Sequence, residues 1–204
     1  MAQIAITHDL LDAASLDAWV ARRRGAIPLP SHSTKFGRLL RRKARGRTAR
    51  TQRFFGEQFV ASRRTHRQVH YSSAKWLTNG RFLREAKLKD PDHEALRVAL
   101  HRAFGRSRLE ALQNAAARLF EAHSKSLGGK RPTAADLWLT DRRGRHHFIE
   151  VKLPGDKIAP HQLAGLALLH TVLGRRHKVF VEIVHLADDS IRFKDLCKLV
   201  AKSG

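Results

Sequence analysis

The sequence predicts an α/β fold, in which helices flank a small mixed sheet and a basic, mainly helical N-terminal region precedes it. The first observation is that the hydrophobic period changes from helical to strand-like after Gly129. The second is that three short apolar segments follow, at 136–140, 146–153 and 178–186. The third is an apolar helical pattern between the last two of these segments, at 160–174.

Four other segments also predict helices. Residues 8–24 have helical spacing, and so does the short tail 193–202. The segment 91–104 has a proline at its first position, acids in its first turn and Asp90 as a plausible N-cap. The segment 107–127 is closed by two glycines. Residues 107–204 therefore run helix, strand, strand, helix, strand, helix.

The charge of the chain is strongly positive and points to a polyanionic partner. Forty Lys and Arg residues oppose 18 Asp and Glu residues, which gives a net charge of +22. Nucleic acid is the partner that this balance favours, because no long apolar span is present to anchor the chain in a membrane. The single cysteine, Cys197, excludes an intrachain disulfide and any cysteine-built zinc site. We expect a reducing, cytoplasmic setting, and histidines that lie mostly on a basic surface.

The basic residues are concentrated in the first half of the chain. Residues 21–75 hold sixteen Lys or Arg and one acid, Glu57. Apolar residues recur there at helical spacing, which predicts basic amphipathic helices broken near Gly46, with the phenylalanines in a core. The charge is either a solvated surface or an arm that binds phosphates, and the scarcity of acids favours the arm. The residues predicted to contact nucleic acid are Arg38, Arg41, Arg42, Lys43, Arg45, Arg47, Arg50, Arg53, Arg63 and Arg64.

These patterns predict two parts of the chain. Residues 1–105 form the basic, mainly helical region that we expect to bind DNA. Residues 106–204 form the α/β domain, which is long enough to have its own hydrophobic core. No small-molecule cofactor and no membrane partner is expected, and the sequence leaves oligomerisation open.

Alternation along the strands places charged side chains on one face of an apolar hairpin. On the strand 146–153, Phe148, Glu150 and Lys152 point one way, while the intervening aliphatic residues point the other way. On the strand before it, Asp136 shares a face with Trp138. Charged side chains are rarely buried in such strands unless they are paired or bound to a metal.

The link between these two strands fixes their register. It is the five-residue segment 141–145, which is polar and contains a glycine. If it closes a hairpin with Thr140 opposite His146, then Trp138 faces Phe148 and the carboxylates of residues 136 and 150 lie side by side. Like charges placed opposite one another destabilise a sheet, and a cation between them removes that cost.

Two adjacent carboxylates with a neighbouring amine predict a metal-dependent phosphodiesterase site. Oxygen ligands suit a hard cation such as Mg²⁺ or Mn²⁺, which can activate a water molecule and polarise a phosphoryl oxygen. Lys152 is placed to orient that water and to offset developing negative charge. The alternative is that Glu150 and Lys152 form a salt bridge on a solvated face of the sheet.

The residues also resemble a known family. The segments "DLWL" and "FIEVKLPGDKIAPHQLAGLALL" are similar to the VRR-NUC branch of the PD-(D/E)xK nucleases, the branch that includes the Fanconi-associated nuclease. The resemblance covers roughly residues 107–185. It departs from the family pattern at Ala135, where the family has proline, and at 130–134, which makes a poor strand where the family has one.

This resemblance implies a restriction-endonuclease-like core and a role for each matching residue. Asp136 and Glu150 would bind the metal with the main-chain carbonyl of Val151, and Lys152 would be the catalytic lysine. Gln162 would face the site from the first turn of its helix, although it could simply cap that turn.

The family also places an acid on the first helix of the domain. Glu110 and Glu121 are the candidates, and they lie on one helix face because eleven residues make about three turns. The spacing to Asp136 favours Glu110, and either residue could be an ordinary solvated glutamate.

The leading hypothesis is a Mg²⁺- or Mn²⁺-dependent nuclease that cleaves DNA, with branched, flapped or end-containing DNA as the substrate that the resemblance implies. A role in repair, recombination or the processing of mobile DNA would follow. The alternative is a catalytically inactive DNA- or RNA-binding module on a nuclease-like fold.

Overall fold

A computed structural model of the chain describes most of the C-terminal half and parts of the N-terminal half. The described residues are 4–11, 55–64, 68–71, 75–78, 80–84, 91–174 and 178–188. They form a five-stranded mixed sheet with helices on both of its faces. The α/β class predicted from the sequence is therefore confirmed.

Six helices and five strands are present in the described residues, together with one π-helical turn. The strands are β1 (Ala5–Leu11), β2 (Gln68–Tyr71), β3 (Leu137–Thr140), β4 (His146–Lys152) and β5 (Val179–Asp188). The helices are α1 (Phe55–Arg63), α2 (Lys75–Thr78), α3 (Gly80–Arg84), α4 (Pro91–Phe104), α5 (Arg106–His123) and α6 (Pro160–Leu168). The π-helical turn, Leu169–Leu173, directly extends α6.

The sheet has the strand order β1-β5-β4-β3-β2. Strands β1, β5 and β4 are parallel, whereas β3 pairs with β4 and with β2 in antiparallel fashion. The carboxyl ends of three parallel strands therefore meet at one edge. In open α/β sheets this is the edge where ligands bind.

Each face of the sheet is covered by its own hydrophobic cluster. Trp138, Phe148 and Ile183 pack with residues of α2 to α6 on the first face. On the second face, Ile149 and Val151 pack against residues of α1, among them Phe59, which is 1% exposed. The prediction that phenylalanines in the basic region belong to a core is confirmed for Phe59.

Four sequence predictions about elements are confirmed, with shifts at their ends. The three apolar segments after Gly129 form β3, β4 and β5, and the helix predicted at 91–104 is α4. The long helix ends at His123 rather than at 127, and Gly128 and Gly129 follow with φ of 68° and 71°, a conformation that side chains disfavour. The predicted helix 160–174 is α6 with its π-helical turn.

Two strands were not predicted, and one prediction was wrong. Residues 8–11, assigned to a helix, belong to β1, because parallel pairing with β5 outweighs the local helical spacing. Strand β2 has only four residues and no sequence signal that separates it from a loop. Residues 12–24 and the tail helix 193–202 lie outside the described residues.

The division at residue 105 does not separate two cores. Strands β1 and β2 come from the first part of the chain and pair with β5 and β3 of the second part. Helices α2, α3 and α4, also from the first part, contribute Trp76, Phe82 and Leu100 to the cluster that covers the first face of the sheet. Among the described residues, no helix is both long enough and apolar enough to cross a membrane.

Candidate active site

The hairpin of β3 and β4 has the register predicted from the sequence. Thr140 pairs with His146, and Trp138 pairs with Phe148. The turn between them contains Gly144 at a φ of 73°, which explains why a glycine stands there. The ladder ends at Leu137, so Asp136 is the first residue beyond it, at the open end of the hairpin.

The two carboxyl groups of the predicted site meet at this open end. The Asp136 and Glu150 carboxyl groups lie close enough for each to shift the pKa of the other. Asp136 Oδ2 also accepts a hydrogen bond from the main-chain amide of Val151 at 2.9 Å. The Asp136 side chain thus contacts β4 one step beyond the ladder, and this contact fixes the spacing between the two acids.

Lys152 and Gln162 complete a connected group around Glu150. Lys152 Nζ lies 2.9 Å from Glu150 Oε1 and 2.9 Å from Gln162 Oε1. The Gln162 amide nitrogen in turn donates to Glu150 Oε1. Glu150 is 2% exposed and Lys152 is 7% exposed. The alternative of a salt bridge on a solvated face does not apply, because the ion pair is buried.

Gln162 both caps its helix and faces the site. Its side-chain oxygen accepts a hydrogen bond from the main-chain amide of Ala159 at 3.0 Å, just before α6 begins at Pro160. The same oxygen accepts from Lys152. The sequence allowed Gln162 either to cap its helix or to face the predicted site, and its side chain does both. The hydrogen bond to Lys152 also connects the start of α6 to the end of β4.

A glycine allows α6 to approach the segment that leads to Asp136. A Cβ atom at Gly165 would lie 1.8 Å from the main-chain oxygen of Thr133. The Thr133 amide donates to the main-chain oxygen of His161 at 3.2 Å. Residues 131–135 are therefore held against α6, although they form no strand there, and this contact orders the chain just before Asp136.

Burial and charge act together on the carboxyl pair. Burial raises the pKa of Asp136, against the opposing effects of the Val151 amide, Lys152 and Glu150. Burial, and then the charge of Asp136, raise the pKa of Glu150 to about 7, although Lys152 opposes this. One lysine does not neutralise two adjacent carboxylates, so the pair retains a proton to a higher pH than ordinary carboxyl groups do.

Three histidines lie on the elements next to this group, and no pattern in the sequence distinguishes them from the other histidines. His161 precedes Gln162 on α6, and the pKa of His161 is lowered by burial and by the charges of Lys130 and Lys152. His185 pairs in register with Lys152. His8 on β1 stacks on His185, with ring centroids 5.4 Å apart. This pair could not be found from the sequence, because residues 8–11 were assigned to a helix.

Glu110 lies apart from the carboxyl pair. It is half-exposed on α5 and forms an ion pair with Arg106 at 2.9 Å. It also lines a cavity of about 340 Å³ with Gln113 and Arg131. Glu121 is exposed on the same helix. No contact of either glutamate with the carboxyl pair is present in the part of the chain that the structure describes, and a role for Glu110 stays a prediction.

Most of the predicted nucleic-acid contacts cannot be placed. The residues from Arg38 to Arg53 lie outside the described residues. Arg63 is exposed at the end of α1, with its guanidinium 4.2 Å from the centroid of the Phe59 ring. Arg64 pairs with Glu182 at 3.0 Å and with Asp9 at 3.8 Å. Two carboxylates thus compete with phosphate for Arg64, so it is a weaker candidate than Arg63.

The oxygen atoms at the open end of the hairpin are suitable ligands for a hard cation, although they are few. Among the described residues, no group of three or more His, Cys, Asp or Glu side chains is placed to hold a metal ion. Mg²⁺ is commonly bound through one or two carboxylates, with waters or substrate oxygens as the other ligands. The main-chain amide of Val151 donates to Asp136, and the carbonyl of a strand residue points to the same neighbouring strand as its amide. Two carboxylates and the Val151 carbonyl therefore fit this pattern.

Comparisons with known proteins do not assign the chain to a family. No protein-family model matches the sequence, and no curated protein matches it either. The relation to the VRR-NUC nucleases stays a prediction that rests on the residues of β3, β4 and α6.

Proposed function

We propose that the protein is a Mg²⁺- or Mn²⁺-dependent nuclease of the PD-(D/E)xK type, similar to the VRR-NUC branch, which hydrolyses phosphodiester bonds of DNA. The observation that carries this proposal is the close approach of the half-buried Asp136 carboxyl to the buried Glu150 carboxyl, with Lys152 and Gln162 both bonded to Glu150. A restriction-endonuclease-like core is part of the proposal. The mixed sheet and its flanking helices are compatible with it.

The electrostatic cost of the carboxyl pair supports a metal role. Burial raises the pKa of both acids, and the charge of Asp136 raises that of Glu150 further, so the pair gains free energy when a divalent cation replaces the shared proton. Asp136, Glu150 and the Val151 carbonyl would hold this cation. The cation would supply Lewis-acid polarisation of a phosphoryl oxygen and a bound water of lowered pKa.

The position of Lys152 fits a catalytic role at the phosphate as well as a structural role in the fold. Its amine is held by Glu150 and by Gln162, so its direction is fixed before a substrate arrives. A fixed ammonium beside two metal-binding carboxylates can stabilise the charge that develops on the phosphate and can orient the attacking water. Gln162 is a positioning residue in this scheme, because it holds both Lys152 and Glu150.

The net charge of the chain supports a nucleic acid substrate. At +22, the protein attracts polyanions without reading their sequence, so we expect binding that weakens steeply with salt. Branched, flapped or end-containing DNA is the substrate class to test first. The residues from Arg38 to Arg53, with Arg63, are the proposed backbone contacts.

A cleavage assay tests this proposal directly. Plasmid, flapped and single-stranded DNA are incubated with the full chain and Mg²⁺, Mn²⁺ or EDTA, beside Lys152→Ala. We expect cleavage with either metal, none with EDTA, and a loss of roughly a hundredfold or more in the variant. Lys178→Ala is the matched control, because Lys178 lies in the turn before β5 and is exposed.

Two results would contradict the proposal in different ways. Cleavage that persists in EDTA or in Lys152→Ala would reject the site. Tight, salt-dependent DNA binding without cleavage in any metal would favour the inactive binding module, and the same experiment with RNA would show which nucleic acid that module prefers.

A further inference from the structure

A row of basic side chains crosses the sheet next to the candidate active site. Lys152 of β4 pairs with His185 of β5, and His185 pairs with His8 of β1. Neighbouring strands of this part of the sheet are parallel, so residues in register project from the same face. The row therefore starts at the carboxyl pair and runs to the outer edge of the sheet at β1.

The contacts within the row agree with this register. The rings of His8 and His185 are stacked, with centroids 5.4 Å apart and planes 21° from parallel. Burial and the charges of His8 and Lys152 lower the pKa of His185, which means that these groups lie close enough to act on one another. His8 is exposed and His185 is half-buried, so the row opens toward solvent at its outer end.

The length of the row suits a strand of nucleic acid better than a single phosphate. Adjacent strands lie about 4.8 Å apart, so Lys152 and His8 are separated by about 10 Å across the sheet. Stacked nucleotides rise about 3.4 Å each, so this distance corresponds to roughly three nucleotides. Imidazole N–H groups donate hydrogen bonds to phosphate oxygens in either protonation state.

We propose that His185 and His8 bind the phosphodiester backbone of the substrate strand beside the scissile phosphate, so that the strand runs across the sheet from β4 toward β1. This inference rests on the proposed function, because it takes the carboxyl pair as the site of cleavage. It specifies the substrate as an oligonucleotide that extends about three nucleotides from the cleaved bond on one side. A mononucleotide ester would reach Lys152 alone and would be a poor substrate.

A two-histidine metal site is the competing use of the same residues. Imidazole is a good ligand for Zn²⁺, but structural zinc sites have four protein ligands and catalytic sites have three. Within the described residues, no third His, Cys, Asp or Glu joins this pair in a metal-binding group. The two rings are stacked and nearly parallel. This arrangement is better suited to an extended surface that binds a chain than to a metal site, where the ligands converge on one point.

The test combines protein variants with shortened substrates. Binding of labelled DNA to the full chain is measured by fluorescence anisotropy in EDTA, and cleavage is measured in Mg²⁺. The variants are His8→Ala with His185→Ala, which removes both donors, and His8→Arg alone. His147→Ala is the matched control, because His147 lies in β4 of the same sheet and stacks on an aromatic ring, Phe180, but on the other face of the sheet.

Truncation of the DNA on one side of the cleaved bond should weaken wild-type binding about tenfold, which is the effect of one net hydrogen bond or slightly more. The double variant should bind full-length DNA about tenfold more weakly than wild type and should show no further loss on truncation. His8→Arg should keep wild-type affinity, since it replaces the donor at an exposed position, and His147→Ala should change nothing.

Equal truncation penalties in wild type and in the double variant would overturn the inference, and so would wild-type binding by the double variant. Thermal unfolding of the double variant checks that a loss of affinity does not reflect a loss of fold, and retained affinity in His8→Arg separates backbone binding from ring packing. Because binding is measured without metal, these results do not depend on cleavage. Absence of cleavage by the wild type would count against the proposed function alone.

Discussion

The β3–β4 hairpin has one acid, Asp141, at its loop end and two acids, Asp136 and Glu150, at its open end, and the pKa shifts at the two ends have opposite signs. At the loop end, Asp141 accepts hydrogen bonds from the main-chain amides of Arg143 and Arg145 and pairs with the Arg145 guanidinium at 2.6 Å. Partial burial acts to raise the pKa of Asp141, but these donors and His147 outweigh it and lower the pKa. At the open end, the pKa values of Asp136 and Glu150 are both raised.

The difference separates an acid whose charge is balanced within its own turn from two acids whose pKa values are raised. Asp141 is ionised and fully engaged, so a further cation at this site would have to displace donors that are already present. Asp136 and Glu150 are held together at a cost in free energy that the protein alone does not remove. An acid with a strongly shifted pKa beside a specific charge partner is typical of functional sites. Asp141 is a structural counterexample in the same chain, because its pKa is also shifted but its partners belong to the hairpin itself.

The largest expected effect is on catalysis at the open end. Asp136→Asn keeps an acceptor for the Val151 amide but removes one of the two negative charges that would bind the cation. We expect the cleavage rate with Mg²⁺ to fall roughly a thousandfold, because most of the metal's charge stabilisation is lost. The measurement is single-turnover cleavage of flapped DNA at saturating protein.

Asp141→Asn is the control for that experiment, since it removes the same charge from the other end of the hairpin. At an assay temperature well below the unfolding temperature of the variant, Asp141→Asn should cleave DNA at the wild-type rate. If both variants lose activity to a similar degree, the open end has no special role and the proposed site is wrong.

The second expected effect is a loss of folding stability when the acid at the loop end of the hairpin is replaced. Asp141→Ala removes the acceptor for two amides and the partner of Arg145. We expect a loss of about 2 kcal/mol in the free energy of unfolding, because two part-buried main-chain donors and the Arg145 guanidinium lose their acceptor. Urea unfolding at neutral pH measures this loss. Asp141→Asn should lose about half as much, and equal losses would mean that the charge rather than the amide bonds stabilises the turn.

The third effect tests the connection between α6 and the site. Gln162→Ala removes the side chain that bonds both Lys152 and Glu150. We expect the cleavage rate at saturating DNA to fall about tenfold, equivalent to about 1.4 kcal/mol, with little change in DNA affinity. Leu163→Ala is the control, because Leu163 is the next residue of the same helix turn and is 43% exposed. A change in affinity without a change in rate would contradict a positioning role.

The site was easier to predict from the sequence than the fold around it. Strand alternation and a short polar link were enough to predict that Trp138 faces Phe148 and that Asp136 approaches Glu150, because a hairpin is a local structure. Gln162 could be placed only by resemblance, since its approach to Lys152 depends on how α6 packs.

The strands from the N-terminal region could not be predicted for a physical reason. Strand β1 pairs with β5, which is more than 170 residues away, and local spacing contains no information about such a partner. Without β1, the stacking of His8 on His185 is invisible, so these histidines seemed to be part of an ordinary basic surface. The features that depend on distant pairing are the ones that the sequence analysis missed.

The smallest expected effect is a pH dependence of stability that has opposite signs at the two ends. The pKa of Glu150 is raised from 4.5 to about 7, so between these values the folded protein retains a proton that the unfolded chain has released. The contribution of this pair to stability therefore falls as the pH rises through that window. Asp141, whose pKa is lowered, loses its contribution as the pH falls.

Asp136→Asn should therefore be more stable than the wild type in EDTA at about pH 8, by on the order of 1 kcal/mol, and equal to it at about pH 5. The reason is that the variant has only one buried carboxylate, which Lys152 can balance. Urea unfolding at both pH values measures the difference, and Mg²⁺ should abolish it by stabilising the wild type alone. A difference that is independent of pH would show that the two acids do not share a proton, and the electrostatic contrast between the two ends of the hairpin would then disappear.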